Sequence, residues 1–277
     1  MEIIKTYPTV LQDHIRSFYT VKAKDVSSLL KQGDLRGQHR LPDGTLDLVF
    51  NLGDPVEISR NGGAFQEMPT AAVTGLYPDS SLVRYLGRVH LVGAVLLPGS
   101  AHLFIREVLT QFRAATIDAS LIFGGNVTLL LEQLHEVQAE PEKHRLVEGF
   151  LNGYLRGNRE QDTFDRIGAA IRQVHRYHGA IDMRVLRAHC CMSERNFRRK
   201  FNEYVGMGPK QYAGIVRIKE LMKRYEPSKS NYLELLTDSG YTDHAHFNKD
   251  FQRVVGMGPN TYFKTQAAVD KAFIDLI

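Results

Sequence analysis

Apolar residues in the first 120 positions come in short runs cut by turn residues. Leu46-Asp47-Leu48-Val49-Phe50 follows the turn signal Leu41-Pro42-Asp43-Gly44 and stops at Asn51-Leu52-Gly53-Asp54. That pattern predicts a strand between two turns. Asn61-Gly62-Gly63 marks a further turn, because Asn and Gly tolerate positive φ. The run from Val89 to Leu97, ended by Pro98-Gly99, predicts a central strand buried on both faces. Strands repeated at this spacing predict a barrel, a jelly roll or a curled sheet.

Beyond residue 100 the period lengthens to that of a helix. Leu129, Leu130, Gln133, Leu134 and Val137 fit one helix with an apolar face. Pro141 interrupts it and opens another, which carries Leu146, Val147, Phe150, Leu151 and Leu155. Residues 157–162 are polar, lack apolar anchors and predict a linker. From 163 onward the pattern is helical throughout. Thr163 is expected to cap a helix with the stripe Ile167, Ala170, Ile171, Val174 and Tyr177, which stops at Gly179. Asp182 caps a short helix through Val185 and Leu186. Cys190-Cys191-Met192 makes a turn, and Ser193 caps a helix through Phe197 and Phe201 to Tyr204. Pro209 opens a longer helix with Tyr212, Ile215, Ile218, Leu221 and Met222.

This last stretch then repeats with a period of 50 residues. Phe197, Phe201, Val205-Gly206-Met207-Gly208-Pro209 and Tyr212 recur as Phe247, Phe251, Val255-Gly256-Met257-Gly258-Pro259 and Tyr262. The second copy predicts a helix at 232–238, a turn at Ser239-Gly240-Tyr241, a cap at Thr242 or Asp243, a helix to Val254 and a closing helix from Pro259. A period of this kind marks a duplicated supersecondary unit, here a short helix, a turn and a longer helix.

The fold expected is therefore α+β and multidomain. Residues 1–156 form a β-rich, barrel- or jelly-roll-like N-terminal domain, β-rich over 1–120 and helical over 121–156. Residues 157–162 link it to an all-α domain over 163–277, in which two helix-turn-helix units at about 182–205 and 232–255 are joined by a long helix.

Charge separates the same two halves. Residues 1–160 hold 16 Lys/Arg and 18 Asp/Glu, a net of −2, whereas residues 161–277 hold 19 and 13, a net of +6. A basic duplicated half suits a polyanionic, periodic partner such as duplex DNA. Phe197 and Phe201 lie at i, i+4 and must face the core, which leaves Glu194, Arg195, Arg198 and Arg199 outward. Arg is the commonest bidentate reader of guanine. In the second copy His244, Ala245, Asn248 and Lys249 face outward, with His246 toward the flank. Ser193, Lys200, Lys210, Thr242 and Arg253 are placed for phosphates, which position a protein without specifying sequence. A linking helix of roughly 15 residues spans somewhat over 20 Å. With the half-widths of two units, that separates the recognition helices by on the order of 34 Å, one turn of B-DNA.

Other chemistry finds little support. His244 and His246 at i, i+2 point to different helix faces, so no metal pair is expected. No nucleophile elbow, phosphate loop or metal-ligand spacing occurs, and no cofactor or enzymatic activity is expected. The two cysteines are adjacent and cannot staple distant segments. No signal-peptide pattern and no apolar run of about 18 residues is seen, so a cytoplasmic protein with no membrane partner is expected.

These residues resemble the DNA-binding domain of AraC/XylS-type transcriptional regulators over residues 163–265. The second unit carries Gly240-Tyr241-Thr242-Asp243, His246-Phe247, Lys249, Phe251 and Gly256-Met257-Gly258-Pro259-Asn260-Thr261-Tyr262. The first matches at Ser193, Arg199, Phe201, Gly206, Pro209, Tyr212 and Arg217. The resemblance implies a seven-helix domain that activates or represses transcription. Base readers are then Arg195, Arg198 and Arg199 in the first recognition helix, and His244, Ala245, His246 and Lys249 in the second. Cys191 stands where the family usually has Gly, and Leu186 and Leu236 replace its small Ala at the helix crossing. More loosely, Leu41-Pro42-Asp43-Gly44 with the strand after it, and Leu97-Pro98-Gly99-Ser100, resemble a β-rich N-terminal domain of a subset with uncharacterised ligands. The implied partners are double-stranded DNA and RNA polymerase, with a small-molecule effector and a homodimer left open. His39, Arg40, Arg84, His90 and His102 are the candidates for lining an effector pocket. Two alternatives stay open: a DNA-binding protein that senses nothing, and an enzyme with an appended helix-turn-helix, which would need a reactive Cys in its own domain.

Overall fold

A computed structural model describes residues 2–24, 38–60, 62–157, 160–224, 236–237, 239–241 and 243–265. The N-terminal strands are β1 (Glu2–Thr6), β2 (Ile15–Ala23), β3 (Gln38–Arg40), β4 (Leu46–Asn51), β5 (Val56–Arg60), β6 (Gln66–Glu67), β7 (Ala71–Gly75), β8 (Ser81–Tyr85), β9 (Val89–Leu96) and β10 (Ala115–Asp118). They form two antiparallel sheets, ordered β1-β2-β9-β4-β7-β10 and β3-β8-β5-β6. Both strands predicted most firmly are present, at Leu46–Asn51 and Val89–Leu96.

Period-2 alternation divides the larger sheet between two cores. Val21, Val49, Ala72 and Leu91 point toward the smaller sheet and pack with Val56, Ile58 and Val83. Phe18, Leu48, Phe50, Val73, Val92 and Ala94 point the other way, into a core that runs on into the helical half. Because both faces are covered, every residue of β4 is buried, including the polar Asp47 and Asn51.

Helices α1 (Ser120–Phe123), α2 (Asn126–Glu136) and α3 (Glu140–Tyr154) follow, with Pro141 in the first turn of α3 as expected. Apolar residues alone do not seat α3. Glu140, His144 and Glu148, four apart, form a second buried stripe against β1, β2 and the connection between them. Glu148 accepts from the backbone N–H groups of Thr9, Val10 and Leu11 at 2.8, 2.8 and 3.1 Å. Burial alone would raise its pKa, but these bonds and the Thr9 hydroxyl hold the carboxyl below the usual range. Glu140 accepts from Thr20 and pairs with Lys22.

The helical half holds α4 (Gln161–Arg176), α5 (Met183–His189), α6 (Glu194–Val205), α7 (Pro209–Arg224), α8 (His244–Val255) and α9 (Pro259–Thr265). The expected cap at Thr163 is corrected. α4 begins two residues earlier, at Gln161, and Glu160 in its N-cap position makes no side-chain cap bond. Asp182 caps α5 through the Arg184 N–H at 2.7 Å. The helix expected at 232–238 lies mostly outside the described residues.

Candidate nucleic-acid interface

Each candidate recognition helix opens on a side-chain cap and closes on a left-handed glycine. Ser193 accepts from the Asn196 N–H at 3.4 Å and opens α6, and Asp243 accepts from the His246 N–H at 2.7 Å and opens α8. Of the two caps considered for the second unit, Asp243 is therefore the one used. Thr242 lies outside the described residues. Gly206 at φ 78° and Gly256 at φ 82° end the helices in the left-handed conformation, where a side chain is strained. Pro209 and Pro259 then start α7 and α9.

The inner edge of each helix is a pair of phenylalanines. Phe197 and Phe201 sit with ring centroids 5.7 Å apart, Phe247 and Phe251 at 5.4 Å. All four are buried. The pairs lock the rotation of each helix, so the opposite face must point to solvent. On α6 that face exposes Glu194, Arg195, Arg198 and Arg199, and on α8 it exposes His244, Ala245, His246, Asn248 and Lys249. Every described base-reading candidate is thus on an outward face. Arg199 is held along the helix, donating to Asn196 Oδ1 at 2.9 Å and pairing with Glu203 at 3.3 Å. Glu194 pairs with Arg187 of α5 at 3.2 Å. His246 lies edge-on to the Tyr241 ring and 3.7 Å from Asp250.

Among the phosphate candidates, Ser193, Lys210 and Arg253 are exposed, and Arg253 pairs with Asp250 at 3.1 Å. Lys200 requires a correction. Its side chain is only 8% exposed and is paired with Glu160 at 2.5 Å and Glu203 at 3.2 Å. At i+3 from Phe197 it falls on the inner half of α6, where the carboxylate of Glu160, in the N-cap position of α4, meets it. It is a structural ion pair rather than part of the outward face. Arg187, in the last turn of α5, adds a cation beside this face through its pair with Glu194.

The two units are held together through α7. Arg217 donates to the Gly179 carbonyl at 2.7 Å, and its guanidinium lies 5.2 Å from the Tyr241 ring centre. Tyr212, fully buried, is hydrogen-bonded to His175 at 2.8 Å.

The pocket candidates of the N-terminal half are not brought together. Arg84 pairs with Glu57 across the smaller sheet, His90 faces Glu140, and His102 packs on Phe164 and Tyr204 of the helical half. Arg40 enters a separate buried polar cluster. It pairs with Asp47 at 2.7 Å and lies 5.6 Å from the Tyr77 ring, beside Thr74, Thr116 and Arg60. The side chain of His39 lies outside the described ones. Among the described residues no group of three or more His, Cys, Asp or Glu could hold a metal ion, and no helix is long and apolar enough to cross a membrane.

Comparison with known proteins assigns the two halves separately. Residues 186–265 match the family described as helix-turn-helix domain, and residues 8–118 match a domain of unknown function (DUF6597). An uncharacterized HTH-type transcriptional regulator of Haemophilus influenzae is 31% identical over 74 residues, 27% of this chain. The chain covers 25% of that relative's length. Among solved structures, ToxT from Vibrio cholerae O395 aligns with a TM-score of 0.42 and 12% identity, over 83% of this chain and 94% of its own. Unsaturated fatty acid bound wild-type ToxT from Vibrio cholerae aligns with a TM-score of 0.46 and 9% identity, over 90% and 95%. The C-terminal region, with its repeated turns and its two capped, Phe-anchored helices, is an AraC-type helix-turn-helix domain of the kind found in transcriptional regulators.

Proposed function

We propose that this protein is a sequence-specific regulator of transcription that reads duplex DNA with α6 and α8 in successive major grooves. One observation carries the reading: two helices, 50 residues apart in sequence, each rest on a buried Phe pair and turn polar and basic side chains outward. Arg195, Arg198 and Arg199 have the reach and donors for guanine, and Asn248 has the amide that suits adenine. Ser193, Lys210 and Arg253 flank these faces and supply phosphate contacts. RNA polymerase is the partner through which a bound regulator acts. Control by a small molecule belongs to the N-terminal half, where the cluster around Arg40, Asp47 and Tyr77 offers charge and hydroxyl groups to a polar effector.

The test is selection of genomic fragments by the purified full chain, followed by affinity measurements on the recovered site across a salt series. A motif of two boxes about ten base pairs apart, held well above competitor DNA, supports the reading. Binding that is only weak, steeply salt-dependent and without a motif reduces the basic half to a phosphate-attracting surface. Metabolite additions monitored by melting temperature separate a ligand-controlled regulator from one that senses nothing.

A further inference from the structure

The chain leaves β7 in an unusual conformation. Leu76 is a bulky, buried residue at φ 50°, in the left-handed region, directly after Gly75 at φ 133°. Its N–H is pinned to the Thr45 carbonyl at 3.0 Å. Strain of this kind persists only where the surroundings over-determine it, and it is a reason to ask what the residue does. The Leu76 side chain reaches Gly206, the glycine that ends α6. A Cβ at Gly206 would collide with Leu76 Cδ1. Four residues on, Ser80 Oγ donates to the Val255 carbonyl at 2.7 Å. Val255 is the last residue of α8, and a Cβ on the next residue, Gly256, would come within 2.5 Å of Ser80 Oγ. One five-residue loop therefore touches the equivalent end of both recognition helices, at positions 50 residues apart.

The root of the loop is fixed in the N-terminal half. Tyr77 is buried, hydrogen-bonded to Thr74 and, at 2.7 Å, to Thr116, with the Arg40 and Arg60 guanidinium groups 5.6 and 5.1 Å from its ring centre. Neighbouring segments add to the same seam. Arg113 donates to Gln211 Oε1 at 2.7 Å, and a Cβ at Gly44 would lie 2.6 Å from the Tyr212 ring.

We infer that the β7–β8 loop, Leu76–Ser80, is a brace that sets the register of the two recognition helices relative to each other. This rests on the DNA-reading function proposed above. Within the helical half the second unit is joined to the first along α7, where Arg217 bridges Gly179 and Tyr241. The loop adds a tie at the far ends of α6 and α8, so that both helices meet their grooves together. Two rigidly linked modules gain over one in proportion to how well the link holds them at the required span. Leu76 and Ser80 are positioning residues in this scheme, and neither need touch DNA.

The test uses the full chain with Leu76→Ala and, as the milder change, Ser80→Ala. Binding is measured to duplexes with two boxes at a series of separations, and to duplexes with one box scrambled. The brace requires both variants to lose about tenfold at the preferred separation, to discriminate less between separations, and to bind one-box duplexes as the parent does. Equal losses on one-box and two-box DNA, or an unchanged separation profile in both variants, would overturn it. Hydrogen exchange on the DNA-free protein gives a separate readout. Leu76→Ala must speed amide exchange around Gly256 as well as around Gly206, and a change confined to Gly206 refutes the coupling. A parent that binds no site specifically sinks the DNA reading and the register role together. Coupled exchange would then show that the fault lay in the DNA reading.

Discussion

The two helix-turn-helix units share one frame and carry two different faces. In the first, the Phe201 ring lies 5.8 Å from Tyr212; in the second, Phe251 lies 5.6 Å from Tyr262. All four rings are fully buried. The caps, the left-handed glycines and the prolines that restart the chain coincide at a spacing of 50. Outside that frame little is kept. Arg198 and Arg199 face Asn248 and Lys249 as counterparts, Glu194 and Arg195 face His244 and Ala245, and the buried cation Lys200 corresponds to the anion Asp250. Packing has few solutions, because a void or a clash costs several kcal/mol. A solvent-facing position is free to follow whatever it must recognise.

The largest effect expected is equal damage to the two frames. Phe201→Ala and Phe251→Ala should each cost about 3–5 kcal/mol of stability, read from denaturant midpoints of the full chain. A cost below about 1 kcal/mol at Phe251 would mean that the second unit is not packed as the first is. Next come the faces. Arg199→Ala should weaken binding by about 1–3 kcal/mol and relax preference at one base pair of the first box, with Lys249→Ala acting only on the second box. Unchanged discrimination across a panel of single-base variants removes either residue from the base-reading set.

This division also explains what could be read in advance. The repeat, the Phe pairs, the caps at Asp182 and Ser193 and the strands at 46–51 and 89–96 were legible because local periodicity and turn chemistry encode them. The stripe Glu140, His144 and Glu148 was not. A polar residue every four positions looks like a solvated helix face until the groups of β1, β2 and their connection that satisfy it are known. Lys200 misled for the same reason, since its partner Glu160 sits 40 residues away, at the start of α4. The turn signals near Gly44 and Gly99 were read as turns, and the sequence held no hint that they abut Tyr212 and Ile171 of the other half. Long-range contacts between loops leave no periodicity behind.

A smaller effect concerns the turns. Cys191 lies at φ 51°, left-handed, whereas the second unit makes its left-handed turn one repeat position earlier, with Gly240 at φ 74°. A side chain in that conformation costs roughly 1–2 kcal/mol, part of which Gly returns as unfolded-state entropy. Cys191→Gly should therefore stabilise the protein by about 1 kcal/mol. Gly240→Ala should destabilise it by at least as much, because the new Cβ would also press on the Ala180 Cβ at 3.0 Å. Thermal melts of the two variants decide this, and a destabilised Cys191→Gly would show that the thiol itself is needed there.

The smallest effect separates the units by pH. Position 250, the counterpart of Lys200 in the second unit, is an aspartate, so the ion pair to Glu160 has no equivalent at that position. The Glu160 carboxyl, held by the Lys200 ammonium, lies below its usual value of 4.5. A carboxylate depressed in the folded state contributes stability above its unfolded pKa, and that contribution disappears as pH falls through the folded one. For Lys200 burial acts downward, but its hydrogen bonds to Glu160 and Glu203 prevail and raise it, so its share is present below the ordinary lysine range and fades only in strong base. Glu160 is half exposed and Glu203 remains as a second partner, so Glu160→Gln should cost under about 1 kcal/mol at neutral pH. The difference from the parent should close as pH drops below 4.5, the carboxyl's ordinary value. Paired melting curves at neutral and acid pH measure it. A deficit that persists in acid would mean that Glu160 holds α4 and α6 together by contacts other than its charge.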